Sequence, residues 1–443
     1  MLILYQLNNY WGQILVYEYS EADNVSVYWM KNNHKEAGNP KNWILLLIIS
    51  TAYIAVFANV QGFKALLPLV QEEFLVSRAQ VGLYTSFYFL SAVFIAVFSG
   101  RIADYLGTKR GLVLGVGVVA FMILLHSFSP LFGIILVLAF FTGTAFSVIT
   151  PSVNKGVIEL SEPSKRSFSM GIVHGGGGLG GVLGAVMLPF LGEMLGWRTA
   201  LIFGSVFAAM VTFFILKFYQ PPEIREEKAT ASPEIKTGSL KEDLLALIKN
   251  RYLLSVFTMG IVFGMSISSV TGHFPLYLTR DLGTSAAFAG LGLGTFHIGG
   301  VAGQPVWGLI NERVFHGDRR KGLFLLGMLI SALALFFGLV VSRFYFPPYA
   351  ILSFSFLFGF CTMGVIAIYF TAVSELVSKE YIGVVTGLAL IFPRTSTVIT
   401  PPIFGLIADL SDAYANSWII LGIIVLIFSV GFFYFSGRYS TIS

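Results

Sequence analysis

Apolar residues in this chain come in long runs, and the polar residues between them come in short clusters. Twelve runs are legible, the first six at about Trp43–Val70, Ser77–Gly100, Arg110–Ser127, Leu131–Val153, Arg166–Gly192 and Trp197–Tyr219. The second six lie at about Tyr252–Leu278, Ala286–Ile310, Gly322–Val341, Tyr345–Ala372, Tyr381–Ala408 and Ser417–Ser436. Each is long enough to cross a ~30 Å hydrocarbon core as a helix. In lipid the backbone must satisfy its own hydrogen bonds, so runs of this length read as helices. A barrel would instead show alternating segments of about ten residues, and none is seen. The pattern predicts an all-α integral membrane protein with twelve transmembrane helices in two six-helix halves.

Composition sharpens this. Of 443 residues, 56% are hydrophobic and 12% charged, where a soluble domain carries about 25% charge. With the amino end inside, the inner segments hold 22 of the 28 lysines and arginines and the outer segments only Arg78, Arg198, Arg280 and Arg343. This positive-inside bias predicts cytoplasmic termini in the cell membrane. It also accounts for the net charge of +5 without a nucleic-acid partner. One cysteine, Cys361, excludes an internal disulfide or thiolate cage, and six scattered histidines show no ligand spacing. No metal site, cofactor motif or catalytic constellation is legible, so an enzyme is not expected.

The predicted organisation is an amino-terminal tail (1–42), a first half (43–219), a cytoplasmic linker (220–250), a second half (251–437) and a short tail (438–443). Residues 1–29 are too broken by polar residues for a span. Two readings stay open for them: translation that starts at Met30, or a genuine interfacial or disordered tail. Within the linker, residues 240–250 have the pattern of a short amphipathic surface helix.

One loop signature occurs twice. Gly100-Arg-Ile-Ala-Asp104-Tyr-Leu-Gly107-Thr-Lys109-Arg110 is echoed 208 positions later by Gly308-Leu-Ile-Asn-Glu312-Arg313, followed by Gly317 and the cluster Arg319-Arg320-Lys321. The halves echo elsewhere: Glu159 precedes Gly171 by 12 positions, and Glu375 precedes Gly387 by the same 12. A glycine, an acid four residues on, then a glycine and cations, carried in both halves of so apolar a chain, resembles the hallmark loop of the major facilitator superfamily. That resemblance spans roughly residues 43–437. It implies alternating access around a midplane substrate site between the halves. It also implies that Asp104, with Gly100, Gly107, Lys109 and Arg110, latches the cytoplasmic side of an outward-facing carrier against a helix amino terminus. Gly308, Glu312 and Arg313 would form the second, longer copy.

Spans five and eight are rich in glycine, notably Gly175, Gly178, Gly299 and Gly303. Glycines let helix backbones approach closely. In the resembled fold these two spans face each other, so the four glycines are expected at a sliding interface. Pro189 follows Leu188 rather than a glycine, so the Gly-Pro antiporter signature is missing.

Arg394 points to a substrate. It lies near the middle of span eleven, where a cation costs about 3 kcal/mol even on the lenient insertion scale. No acid stands at its depth, so an anionic ligand would supply the counter-charge, and arginine's fork suits a carboxylate. The alternative is an arginine held by carbonyls freed near Pro393. Asn59, Gln61 and Lys64 in span one, Tyr88 in span two, and His297 and Gln304 in span eight are the other candidate substrate contacts. For Lys64 the alternative is a side chain that snorkels outward; for His297, a packing histidine bonded to a hydroxyl.

Among facilitators, the chain loosely resembles the organic-anion branches, the anion–cation symporters and oxalate/formate-type exchangers. It departs from them in lacking an Asp-Arg pair in span one, and it has Ala139 where many proton-linked carriers place an arginine. The expectation is a monomeric secondary transporter of a small organic anion, with a coupling proton or counter-anion left open. An exporter of drugs or amphiphiles and a transporter-derived sensor are the rival readings.

Overall fold

The computed structural model describes residues 40–162, 165–220, 251–376 and 382–439. The readings of residues 1–29, the 220–250 linker with its amphipathic helix, and the carboxy-terminal tail lie outside these. The described residues are helical, with no strand among them.

Helix α1 is Pro40–Phe74. Next, Arg78–Ser127 runs as one 50-residue element broken at Gly107, whose φ of 69° and ψ of 166° only glycine adopts without strain. At ~1.5 Å per residue it would be about 75 Å long, far beyond one crossing. Its limbs, 78–106 and 108–127, are α2 and α3. The first half closes with α4 (Phe132–Leu160), α5 (Arg166–Leu195) and α6 (Trp197–Phe218). The second half contains α7 (Arg251–Arg280), α8 (Ala286–Arg313), α9 (Arg319–Phe336, with a π-helical turn to Val341), α10 (Pro348–Glu375), α11 (Ile382–Ser411) and α12 (Tyr414–Tyr439). Eleven stretches are long and apolar enough to cross a membrane, and the first limb of the broken helix supplies the twelfth crossing. Helix numbers therefore match span numbers.

Helices overrun the predicted spans because they continue past the hydrocarbon into polar surroundings, α1 by three residues at its start and four at its end. Local signals set the starts. Ser77 caps α2 in a reciprocal capping box with Gln80, Ser285 caps α8, and Asp318 caps α9. We call the end bearing residues 75–77, 196, 281–285 and 412–413 the outer end, following the distribution of cations.

Each half packs as its own bundle, and two antiparallel pairs carry most of the packing between halves: α2 with α11, and α5 with α8. Glycines make these approaches possible. A Cβ on Gly82 would strike the backbone of Pro401, and one on Gly405 the Arg78 carbonyl.

Candidate substrate site and gates

Lys64 is ten residues from the outer end of α1, about 15 Å along the axis and so near half-depth in the bilayer. It does not snorkel: the residue is 2% exposed. Its ammonium lies 5.7 Å from the Tyr88 ring centroid and 5.2 Å from that of Phe89. Such contacts give about 2 kcal/mol when desolvated, less than the several kcal/mol lost on burying an ion. No carboxylate pairs with it among the described residues.

His297 of α8 is buried. Its ring lies against α5, where a Cβ on Gly181 would come within 3.3 Å. The expected packing histidine bonded to a hydroxyl is not what is found, because Nε2 has no partner among the described residues. Gln61, one turn from Lys64, is buried with its Oε1 likewise unpartnered. Lys64, Gln61 and Tyr88 thus occupy one region where α1 and α2 meet, and His297 stands on α8, which packs against α1.

Asn59 is directed elsewhere. Its amide donates to the Ala55 carbonyl at 2.9 Å and the Gly204 carbonyl at 3.0 Å, which ties α1 to α6. The bare backbone of Gly204 lets the amide in. Gln304 is exposed, two turns from His297 toward the inner end.

Arg394 is half-buried and has neither hydrogen bond nor ion pair among the described residues. Carbonyls freed near Pro393 do not hold it. A proline at 393 releases the carbonyl four residues back, and that oxygen, on Ala389, accepts the Tyr369 hydroxyl at 2.7 Å. The Pro393 carbonyl accepts from Ser396 Oγ at 3.0 Å and Thr397 Oγ1 at 2.7 Å.

The glycines divide differently from expectation. A Cβ on Gly178 would strike Val301 of α8, so Gly178 lies at the interface between halves. Gly299 and Gly303 instead meet the carbonyls of Phe356 and Phe360 on α10, inside the second half, and Gly175 has open space beside it. The glycines of α8 that face α5 are Gly290, against the Ala185 carbonyl, and Gly294, against Val186. Glycine enrichment marks close packing but not which neighbour is close.

At the inner end the hallmark loops bond within their own halves. Asp104 is 77% exposed and meets Lys155 at 3.3 Å, while Thr108 donates to Glu159 at 2.8 Å. In the second copy, Arg319 bonds Glu312 at 2.6 Å and forks onto Glu375 at 2.8 and 3.1 Å. The echoed Glu159 and Glu375 are therefore the anchors of the two loops. Arg313 and Arg110 are exposed, Lys109 is half-buried, and Gly100 and Gly308 have nothing near them. Among the described residues, the partner of the Asp104 carboxylate is thus Lys155 of its own half. Polar contacts between the halves gather at the outer end: Arg78 with Asp412 at 3.5 Å, Arg280 with Glu72 at 3.7 Å, and Arg280 with Gln71 at 3.3 Å. Deeper, Ser86 donates to the Val398 carbonyl at 2.5 Å. Among the described residues, the side-chain ion pairs that join the halves therefore lie at the outer end. Sequence reasoning missed the acids of this outer closure, Glu193 and Asp409. The signal was present: Glu193 follows Glu159 by 34 positions, as Asp409 follows Glu375.

Comparison with known proteins agrees with this fold. A hexuronate transporter of Bacillus subtilis is 22% identical over 392 residues, covering 85% of this chain and 90% of its own. A probable sulfoacetate transporter of Cupriavidus necator is 22% identical over 402 residues, covering 86% and 90%. Among solved structures, a bacterial homolog of the human lysosomal transporter Spinster, inward-facing and unoccupied, superposes with a TM-score of 0.75. It is 13% identical, with 90% of this chain and 98% of that one covered. Residues 49–280 and 256–442 match the Major Facilitator Superfamily. With that match over most of its length, the chain belongs to the Major Facilitator Superfamily: it is a multi-pass membrane transporter and not an enzyme.

Proposed function

We propose that the protein carries a small organic anion, a carboxylate, across the cell membrane by alternating access. Two cations at membrane depth, Lys64 and Arg394, without an anion beside either among the described residues, carry this reading. An unpaired charge at that depth is costly, and a bound carboxylate offsets the cost through charge-assisted hydrogen bonds. Gln61 and Tyr88 lie on the Lys64 side and, with His297, would orient the ligand. Hexuronate and sulfoacetate, after which the two relatives are named, both carry a carboxylate. A cationic drug would be repelled by both residues, which disfavours the exporter reading.

The hallmark loops are proposed as cytoplasmic gates, open in this conformation. On closure Asp104 would leave Lys155 for the start of α11, and Glu312 would leave Arg319 for the start of α5. A carboxylate at such a terminus gains about 0.3–1 kcal/mol. The termini are assigned to the cytoplasm, residues 220–250 to a linker, and the working unit to a monomer with no cofactor. Uptake into proteoliposomes of a panel of labelled acids, sugars and drugs tests the reading. Accumulation of small carboxylates is expected, and accumulation of neutral sugars or cationic drugs alone would refute it.

A further inference from the structure

The outer closure has an internal symmetry that matches the duplication of the sequence. Asp409, in the last turns of α11, accepts the backbone N–H groups of Arg78 and Ala79, each at 2.9 Å, at the start of α2. Glu193, in the last turns of α5, accepts the backbone N–H of Ala287 at 2.8 Å, at the start of α8. Ala79 and Ala287 are 208 positions apart, the spacing of the two hallmark loops, and both starts carry a capping serine, Ser77 and Ser285. Arg78 adds a bond to the Ala408 carbonyl at 2.6 Å. The same contact is thus built twice: the fifth helix of each half ends in a carboxylate that caps the second helix of the other half.

We infer that Asp409 and Glu193 form a twofold latch that holds the outer end closed, with Asp409 as its stronger arm. The logic follows from antiparallel packing. Where α2 and α11 run in opposite directions, each end of the pair brings the first turn of one helix beside the last turn of the other. Exposed N–H groups and the positive end of the helix dipole lie at that first turn. At the outer end the carboxylate that meets them is Asp409. At the inner end α2 leads into Asp104, which the start of α11 would receive on closure. Rocking separates one end as it joins the other, so the two carboxylates are engaged in alternation. The α5–α8 pair repeats this with Glu193 outside and Glu312 inside. Asp409 accepts two backbone bonds where Glu193 accepts one, so the α2–α11 side resists opening more. Asp412 differs in kind. It is fully exposed and meets only the Arg78 guanidinium, at 3.5 Å, so it gives little.

The test measures conformation with no substrate present, so its failure is distinguishable from failure of the organic-anion reading. In a Cys361→Ala background of the full chain, spin labels at Leu131 and Tyr345 report the outer end, and labels at Tyr105 and Val314 the inner end. Pulsed dipolar spectroscopy then gives both distance distributions. Asp409→Asn keeps the size but loses the charge, and it is expected to raise the outward-open fraction about two- to fivefold, the worth of a carboxylate at a helix start. The outer distances lengthen as the inner ones shorten. Glu193→Gln shifts the same way by less, Asp409→Glu restores the wild-type distribution, and Asp412→Asn leaves it unchanged. If Asp409→Asn does not yield monodisperse protein, Glu193→Gln alone decides. The latch is overturned if the carboxylate-to-amide variants leave both distributions unchanged, or if Asp412→Asn shifts them as far as Asp409→Asn.

Discussion

Lys64 and Arg394 are both cations inside the membrane, yet they are held in opposite ways. Lys64 is sealed against Tyr88 and Phe89. Arg394 is half-buried, and the carbonyl that Pro393 frees is taken by Tyr369. One cation is enclosed by aromatic rings in the first half. The other, in the second half, has no hydrogen-bond or ion-pair partner among the described residues. If both serve the proposed anion, the half-buried Arg394 is the one a ligand reaches without rearrangement, and the sealed Lys64 needs its aromatic neighbours to move first.

Seven substitutions test this contrast and the helices around it. The largest effect is expected from Arg394→Gln, which removes the accessible charge; transport of carboxylates in proteoliposomes should fall below detection. Arg394→Lys keeps charge but loses the bidentate fork, so it should raise the KM for the anion about tenfold, in line with the ~1.5–3 kcal/mol of a hydrogen bond to a charged group. A variant indistinguishable from wild type would remove Arg394 from the site.

Gly181→Leu comes next. It drives a side chain into the His297 ring and leaves Arg394 untouched, so initial binding should survive while exchange slows severely. Gly178→Leu, aimed at Val301, should do the same by wedging α5 from α8. Gly299→Leu meets the Phe356 carbonyl within the second half, and there the expected result is loss of folded protein on size-exclusion chromatography, not a stalled cycle.

Asp104→Asn should have a moderate effect. Among the described residues Asp104 meets Lys155, on the surface, where ion pairs give about 0–1 kcal/mol. Yield and thermal stability should stay within error, with turnover reduced several-fold; unchanged turnover would deny it a gating role. The smallest effect on the anion belongs to Asn59→Ala. It deletes two bonds that join α1 to α6, so Tm should drop while KM holds. A raised KM with unchanged Tm would return Asn59 to the substrate site.

The helices were legible because lipid demands long apolar runs, and the two loops because their glycines and acids stand in equivalent places. Lys64 was harder to read. Its distance along α1 allowed a snorkelling chain, and only the packing of Tyr88 and Phe89 against it shows a sealed one. The sliding glycines were half legible: composition showed that α5 and α8 pack closely, but the face that each glycine presents depends on helix rotation. Gly299 therefore turned out to meet α10 and Gly178 to meet α8. The outer acids escaped notice because an acid near a helix end reads as surface. Their role shows only when the second helix of the other half starts beside them.

The central claim is that the unpaired intramembrane cations receive an anion. It is tested most directly by thermal-shift measurement on purified wild-type protein and the Arg394→Gln variant with small carboxylates, neutral sugars and organic cations. The account predicts that carboxylates raise the wild-type Tm in a concentration-dependent way, that the other compounds do not, and that the rise vanishes in Arg394→Gln. Stabilisation only by neutral or cationic compounds, or an undiminished response in the variant, would contradict it.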